Sequence, residues 1–125
     1  MELTQHAPAG SLQIVENYGE GSFKVSGHRH PGSILILPDA THSWAVDGVA
    51  NLSLPSLQPI MDAQSAIEIL IVGCGATLAL LPVTLREVLR TKGIGLEAMD
   101  TGAACRTYNL LAGEGRRVAA ALIAL

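Results

Sequence analysis

From Ile67 onward the chain alternates short apolar runs with helix-patterned stretches, and this order narrows the possible folds more than any other feature. Ile67-Glu-Ile-Leu-Ile-Val is almost continuously apolar, as in a strand covered on both faces. Pro82 suits a first helical position, Leu85, Val88 and Leu89 follow at i, i+3, i+4 spacing, and Lys92-Gly93 supplies a basic last turn and a stop. Ile94 to Met99 reads as a second short strand. Thr101 can cap a second helix that carries Ala104, Tyr108 and Leu111 on one face and fades at Gly113 to Gly115. Periodicity alone leaves Val118 to Leu125 (VAAALIAL) open between strand and helix. The Gly-Glu-Gly-Arg-Arg turn before it and the alternation of units favour a strand. Residues 67–125 are therefore expected to form a βαβαβ unit with right-handed crossovers.

The first half has a different character. Residues 1–10 lack periodicity and are expected to be a flexible arm, with residues 11–125 forming a single α/β domain. Between Leu12 and Val46, Gly19, Gly21, Gly27, Pro31, Gly32 and Pro38 separate runs of strand length, so a meander or hairpin is the simplest arrangement. Pro55 and Pro59 make Val49 to Ala66 a linker with one short helix. The β-rich half then supplies the antiparallel part of a mixed sheet.

Composition limits function. Hydrophobic residues make up 49% of the 125 and charged ones 15%, against an ordinary charged share of about 25%. So apolar a chain folds, and its scarce polar surface favours self-association as a homo-oligomer. Eight Lys and Arg against eleven Asp and Glu give a net charge of −3, with no basic run to neutralise phosphates, so no nucleic-acid partner is expected. The apolar stretch from Ile69 to Val83 is interrupted by Gly73, Gly75 and Pro82 and is shorter than the roughly 20 residues of a membrane-spanning helix. Two cysteines cannot make a disulfide framework, and the first Lys or Arg is Lys24, too late for a signal or transit peptide; a cytoplasmic location is expected.

The motifs with chemical potential cluster where two strands should end. Gly73 and Gly75 follow a strand, but Leu78 stands where a dinucleotide fingerprint wants its third small residue, so the simpler reading is a tight βα turn in which glycine relieves crowding. Asp100-Thr101-Gly102 matches the aspartic-protease triplet, yet only 25 residues follow Asp100 and they read as helical; Asp100, with Thr101, is expected to satisfy the free N–H groups of that helix. Cys105, near the helix start and beside Arg106, is the better placed of the two cysteines for thiolate formation. If the two loops face each other, Gly73, Gly75, Asp100, Thr101, Cys105, Arg106 and Asn109 line one crevice, and an anion is its expected guest. An enzyme would use Cys105 as nucleophile or Asp100 as base, with Arg106 beside them; the general base it needs is a difficulty, because every histidine lies at or before His42. His28 and His30 could share one face of a strand, but Pro31-Gly32 suggests solvated loop histidines and no third ligand is evident, so no metal is expected.

The string Met99-Asp-Thr-Gly-Ala-Ala-Cys-Arg-Thr-Tyr-Asn-Leu-Leu, followed by Glu114-Gly-Arg-Arg-Val-Ala-Ala-Ala-Leu, resembles the C-terminal signature of a widespread domain family of unknown biochemical function whose mitochondrial members include a respiratory complex I assembly factor. Further matches are Phe23 before Gly27, Gly32-Ser-Ile-Leu-Ile-Leu, Pro38, Trp44, Glu68-Ile-Leu-Ile-Val-Gly-Cys-Gly, and Leu89-Arg-Thr-Lys-Gly-Ile. The resemblance spans roughly residues 12–125. It implies a three-layer α/β fold around a mixed central sheet and no established catalytic activity; no cofactor is expected. It also implies an adaptor or assembly factor that binds a partner protein, here as a bacterial stand-alone member since no presequence is seen. His28-Arg-His30 departs from the pattern, which would place an aromatic residue before Gly-Ser.

Overall fold

The computed structural model describes residues 12–125, so the N-terminal arm expected at residues 1–10 lies outside it. The second half follows the pattern of its sequence. Strand β6 (Ile69–Gly73), helix α2 (Val83–Thr91), β7 (Gly95–Met99), α3 (Thr101–Gly113) and β8 (Val118–Leu122) form the βαβαβ unit, with the terminal VAAAL as a strand. Pro82 stands one residue before α2 rather than as its first residue. β6 lies between β8 and β7 and is parallel to both. The two crossovers run in opposite directions along the sheet, so a common hand requires their helices on opposite faces. They are there: Leu85 and Leu89 of α2 join one core, and Ala104, Cys105, Tyr108 and Ala112 of α3 join the other.

The hairpin of β4 (Ile34–Leu37) and β5 (Ala40–Ser43) adds antiparallel to β8 and completes a five-stranded mixed sheet, β5-β4-β8-β6-β7. β4 and β8 are buried throughout, and their alternate residues divide between the two cores. On the α3 side Ala120 has a packing reason: α3 crosses over β6 and β8, and small residues on both helix and strand, Ala104 and Ala120 among them, let it approach closely. The face opposite α3 is closed by α2 and by the segment after β5, where Trp44, Leu52, Leu57 and Ile60 are buried around the short helix α1 (Gln58–Asp62). The Trp44 indole N–H donates to the Ser56 carbonyl at 2.8 Å, tying that linker down.

The first three strands depart from the expectation of a single sheet. β1 (Val15–Gly19), β2 (Ser22–Val25) and β3 (His28–Pro31) form a separate antiparallel sheet that packs Val15, Phe23 and Val25 beside α3. Both of its turns have two central residues with positive φ, Glu20 and Gly21 (53° and 76°) and Ser26 and Gly27 (46° and 87°), the geometry that matches strand twist in tight hairpins. His28-Arg-His30 is thus strand, not loop, and only His28 is solvated: His30 is buried opposite Phe23. The layers are therefore α2 with the linker, the mixed sheet, and α3 with the small sheet.

Candidate functional site

The two loops expected to face each other do so, and they are bonded together. The Cys74 N–H donates to the Met99 carbonyl (2.8 Å), Thr101 N–H to Gly75 (2.9 Å) and Ile123 N–H to Gly73 (3.0 Å). The Thr101 side chain, fully buried, fills the junction: its Oγ1 accepts from the Gly75 N–H at 2.9 Å and donates to the Ile123 carbonyl at 2.8 Å. Thr101 therefore locks the ends of β6 and β8 to the start of α3 instead of capping that helix. The cap is Asp100, whose Oδ1 accepts from the Ala103 N–H at 2.9 Å. Gly73 is required by proximity, since a Cβ there would stand 3.0 Å from the Thr101 Cα and Oγ1 and 3.1 Å from Leu122 Cδ2. The crowding expected of this loop is found at Gly73, whereas Gly75 is set by its φ of +100°, and residues 74–82 separate β6 from α2 in place of the tight βα turn expected.

The remaining crevice residues are also engaged elsewhere. Cys105 is buried, and desolvation pushes its thiol up to about 12, outweighing the opposite pull of Arg106. The expectation of a stabilised thiolate is overturned because burial penalises charge more than one exposed cation favours it. Arg106 is exposed and donates to the Tyr18 hydroxyl at 3.2 Å, across to β1. Asn109 acts as a clip: its Oδ1 accepts from the Val15 N–H (2.9 Å) and its Nδ2 donates to the Val15 carbonyl (2.8 Å), so one side chain satisfies both backbone groups of an edge-strand residue. Gly73, Gly75, Asp100 and Thr101 are brought together; Arg106 and Asn109 turn toward the small sheet. Among the described residues no three His, Cys, Asp or Glu side chains converge as a metal site would need.

What lies open is a different surface. Between Gly75 and α2 the chain runs without regular structure, exposing Leu78 (61%), Leu80 (95%) and Val83 (73%). Next to Val83, Pro82 and Leu85 face Leu52, Leu54 and Pro55 across a mainly apolar cleft of about 260 Å³. Composition counted these leucines as apolar content but did not place them outside the core. The available signal was Leu78-Ala-Leu-Leu-Pro82, an apolar run without helical or strand period immediately before a proline.

Residues 15–123 match the family described as Protein of unknown function (DUF498/DUF598). The chain belongs to this family. A Danio rerio relative, NADH dehydrogenase (ubiquinone) 1 alpha subcomplex assembly factor 3, is 34% identical over 97% of this chain and 68% of its own length. An uncharacterized Rhodobacter capsulatus protein is 36% identical over 92% of this chain and 86% of its own. Among solved structures, a Bordetella pertussis protein described as an Mth938-like domain superposes with a TM-score of 0.81 at 33% identity, covering 98% of this chain and 92% of that one. The family and the α/β fold implied by the Met99–Leu111 signature are thus both found. No helix of the described residues is long and apolar enough to cross a membrane.

Proposed function

We propose that this chain is a non-enzymatic adaptor or assembly factor that works in the cytoplasm without a cofactor and holds a partner protein against the rim formed by Leu78, Leu80 and Val83. Leu80 carries the reading. A leucine that is 95% exposed, with two further open apolar side chains and a cleft beside it, has the composition of an interface core. Burying such side chains contributes about 1.5–3 kcal/mol each. The engagement of Asp100, Thr101 and Asn109 in holding the fold, and the buried, high-pKa thiol of Cys105, support a binding role over small-molecule chemistry at that corner. The names of the vertebrate relatives, assembly factors of an NADH dehydrogenase, support a protein client.

A photo-crosslinking amino acid at position 80, expressed in the cells that make the protein, tests this. The expected result is a discrete product with a different protein, absent when the crosslinker replaces the exposed turn residue Glu114 and lost in an L78S/V83S background whose urea midpoint is unchanged. A product containing only two copies of this chain, or one that survives L78S/V83S, overturns the proposal in favour of self-association or of a different surface.

A further inference from the structure

The small sheet carries a feature that neither the fold nor the apolar rim requires. Its strands pair Asn17 with Lys24 and Lys24 with Arg29, so these three side chains form one cross-strand row. Lys24 projects outward, because Phe23 and Val25 on either side of it are buried, and directly opposed residues share a face. Two like charges opposite each other destabilise a sheet, and in a chain of net charge −3 an acidic partner would be easy to supply. None is present: among the described residues the ion pairs are Glu87–Arg90 and Glu68–Arg116, and the carboxylate of Glu16 is held by the Gly27 N–H.

Two residues further along the same face Gly19 and Ser22 are small, with Pro31 opposite Ser22, and beside the charged row lies a hollow of about 160 Å³ lined by the polar residues Asn17, Ser22, Lys24 and Arg29 together with Tyr18, Gly19 and Phe23. That is room for several waters. Each of its four polar side chains can donate a hydrogen bond. The Asn17 Oδ1 already accepts from the Tyr18 N–H at 2.9 Å, which leaves its amide Nδ2 as donor. The Ser22 hydroxyl makes only a long 3.5 Å contact to the Gly19 carbonyl. Lys24 and Arg29 are donors by nature. We infer that Asn17, Ser22, Lys24 and Arg29 form a binding site for a phosphoryl group, either free phosphate or a phosphate ester. A phosphoryl group carries a charge of about −1.5 to −2 at neutral pH, matching the two cations where a carboxylate would match one. Its oxygens can accept from all four donors, and it relieves the Lys24–Arg29 repulsion.

The test titrates the full ¹⁵N-labelled chain at pH 7.5 with sodium phosphate, O-phosphoserine, sodium acetate and sodium chloride, each at matched ionic strength, while backbone amide shifts are followed. Phosphate is expected to produce saturable shifts confined to residues 17–31 that chloride and acetate do not reproduce. The K24Q and R29Q variants each weaken the midpoint about threefold or more, as loss of one exposed charged contact should, and the double variant abolishes saturation while the amides of β6 and β7 keep their positions. Saturation by O-phosphoserine as well marks the ester as the ligand form; saturation by phosphate alone marks the free ion. Shifts that chloride or acetate reproduces, or that persist in the double variant, overturn the site. A Tm raised by phosphate in the wild type and unmoved in the double variant gives an independent readout, and equal rises in both overturn it too.

Discussion

Replacing Thr101 by valine removes one oxygen atom at nearly constant shape, and the structure says what that oxygen does. In wild type it accepts from the Gly75 N–H and donates to the Ile123 carbonyl, inside a junction that water does not reach. T101V leaves both backbone groups buried without a partner, at about 1–3 kcal/mol each, or about 2–6 kcal/mol together. The added methyl returns about 1 kcal/mol at most, since it enters a site already crowded by Gly73. T101S is the necessary control. It keeps the hydroxyl and loses a methyl, so it should cost only about 1 kcal/mol. Urea unfolding, with stability taken from midpoint and slope, reads both values, and amide exchange at Gly75 reads the local effect. The expected order is wild type, then T101S, then T101V lowest by a clear margin, with Gly75 exchanging faster in T101V alone. If T101V matches or exceeds T101S in stability, the hydroxyl is not what closes the crevice and the account of this junction fails.

Three further outcomes follow from individual contacts. N109A removes both bonds that hold Val15 to α3, and because the site is only partly buried the cost should be about 1–3 kcal/mol; hydrogen exchange should quicken in β1–β3 with β6 little changed, and uniform acceleration would contradict the clip. The Cys105 thiol is raised from 9.0 to about 12 and the Tyr108 hydroxyl is raised as well, both by desolvation, so the stability they contribute is complete below about pH 9 and declines as pH climbs toward 12. Iodoacetamide should therefore label Cys105 at pH 8 only after denaturant is added, and rapid labelling of the native chain would refute the burial argument. The pKa of His30 is lowered, first by burial and then by His28, so an unfolded chain binds its proton more readily and stability should fall as pH drops below 6.5. Its Nε2 is buried without a hydrogen-bond partner, so H30F should flatten that acid limb; an unchanged slope would assign it to other groups.

The elements legible in the sequence are those set by local pattern, and the parts that were not legible depend on distant chain segments. Burial on both faces makes β6 read as an unbroken apolar run, and one-sided burial gives α2 and α3 their spacing; the equally apolar run of β8 fits strand or helix by itself, and only the turn before it and the alternation of units favour the strand. The small sheet breaks off from the large one for a reason no local window contains: β1 finds its neighbour in Asn109, 94 residues away, and not in β4. Solvation misled at His30 in the same way, since a His next to Pro-Gly resembles a loop until Phe23 is placed opposite it. The candidate site shows the limit most clearly. The rule that ligands gather beyond the carboxyl ends of parallel strands located the two loops correctly, but whether such a crevice is open or closed depends on one hydroxyl and on where the Ile123 carbonyl arrives after α3. Asp100, Thr101 and Asn109, members of the string that identifies the family, have contacts that account for them as cap, lock and clip. A diagnostic motif can thus mark the closure of a fold. Binding should then be sought where the sequence offers no motif, on the open leucines before α2 and in the cationic hollow of the small sheet.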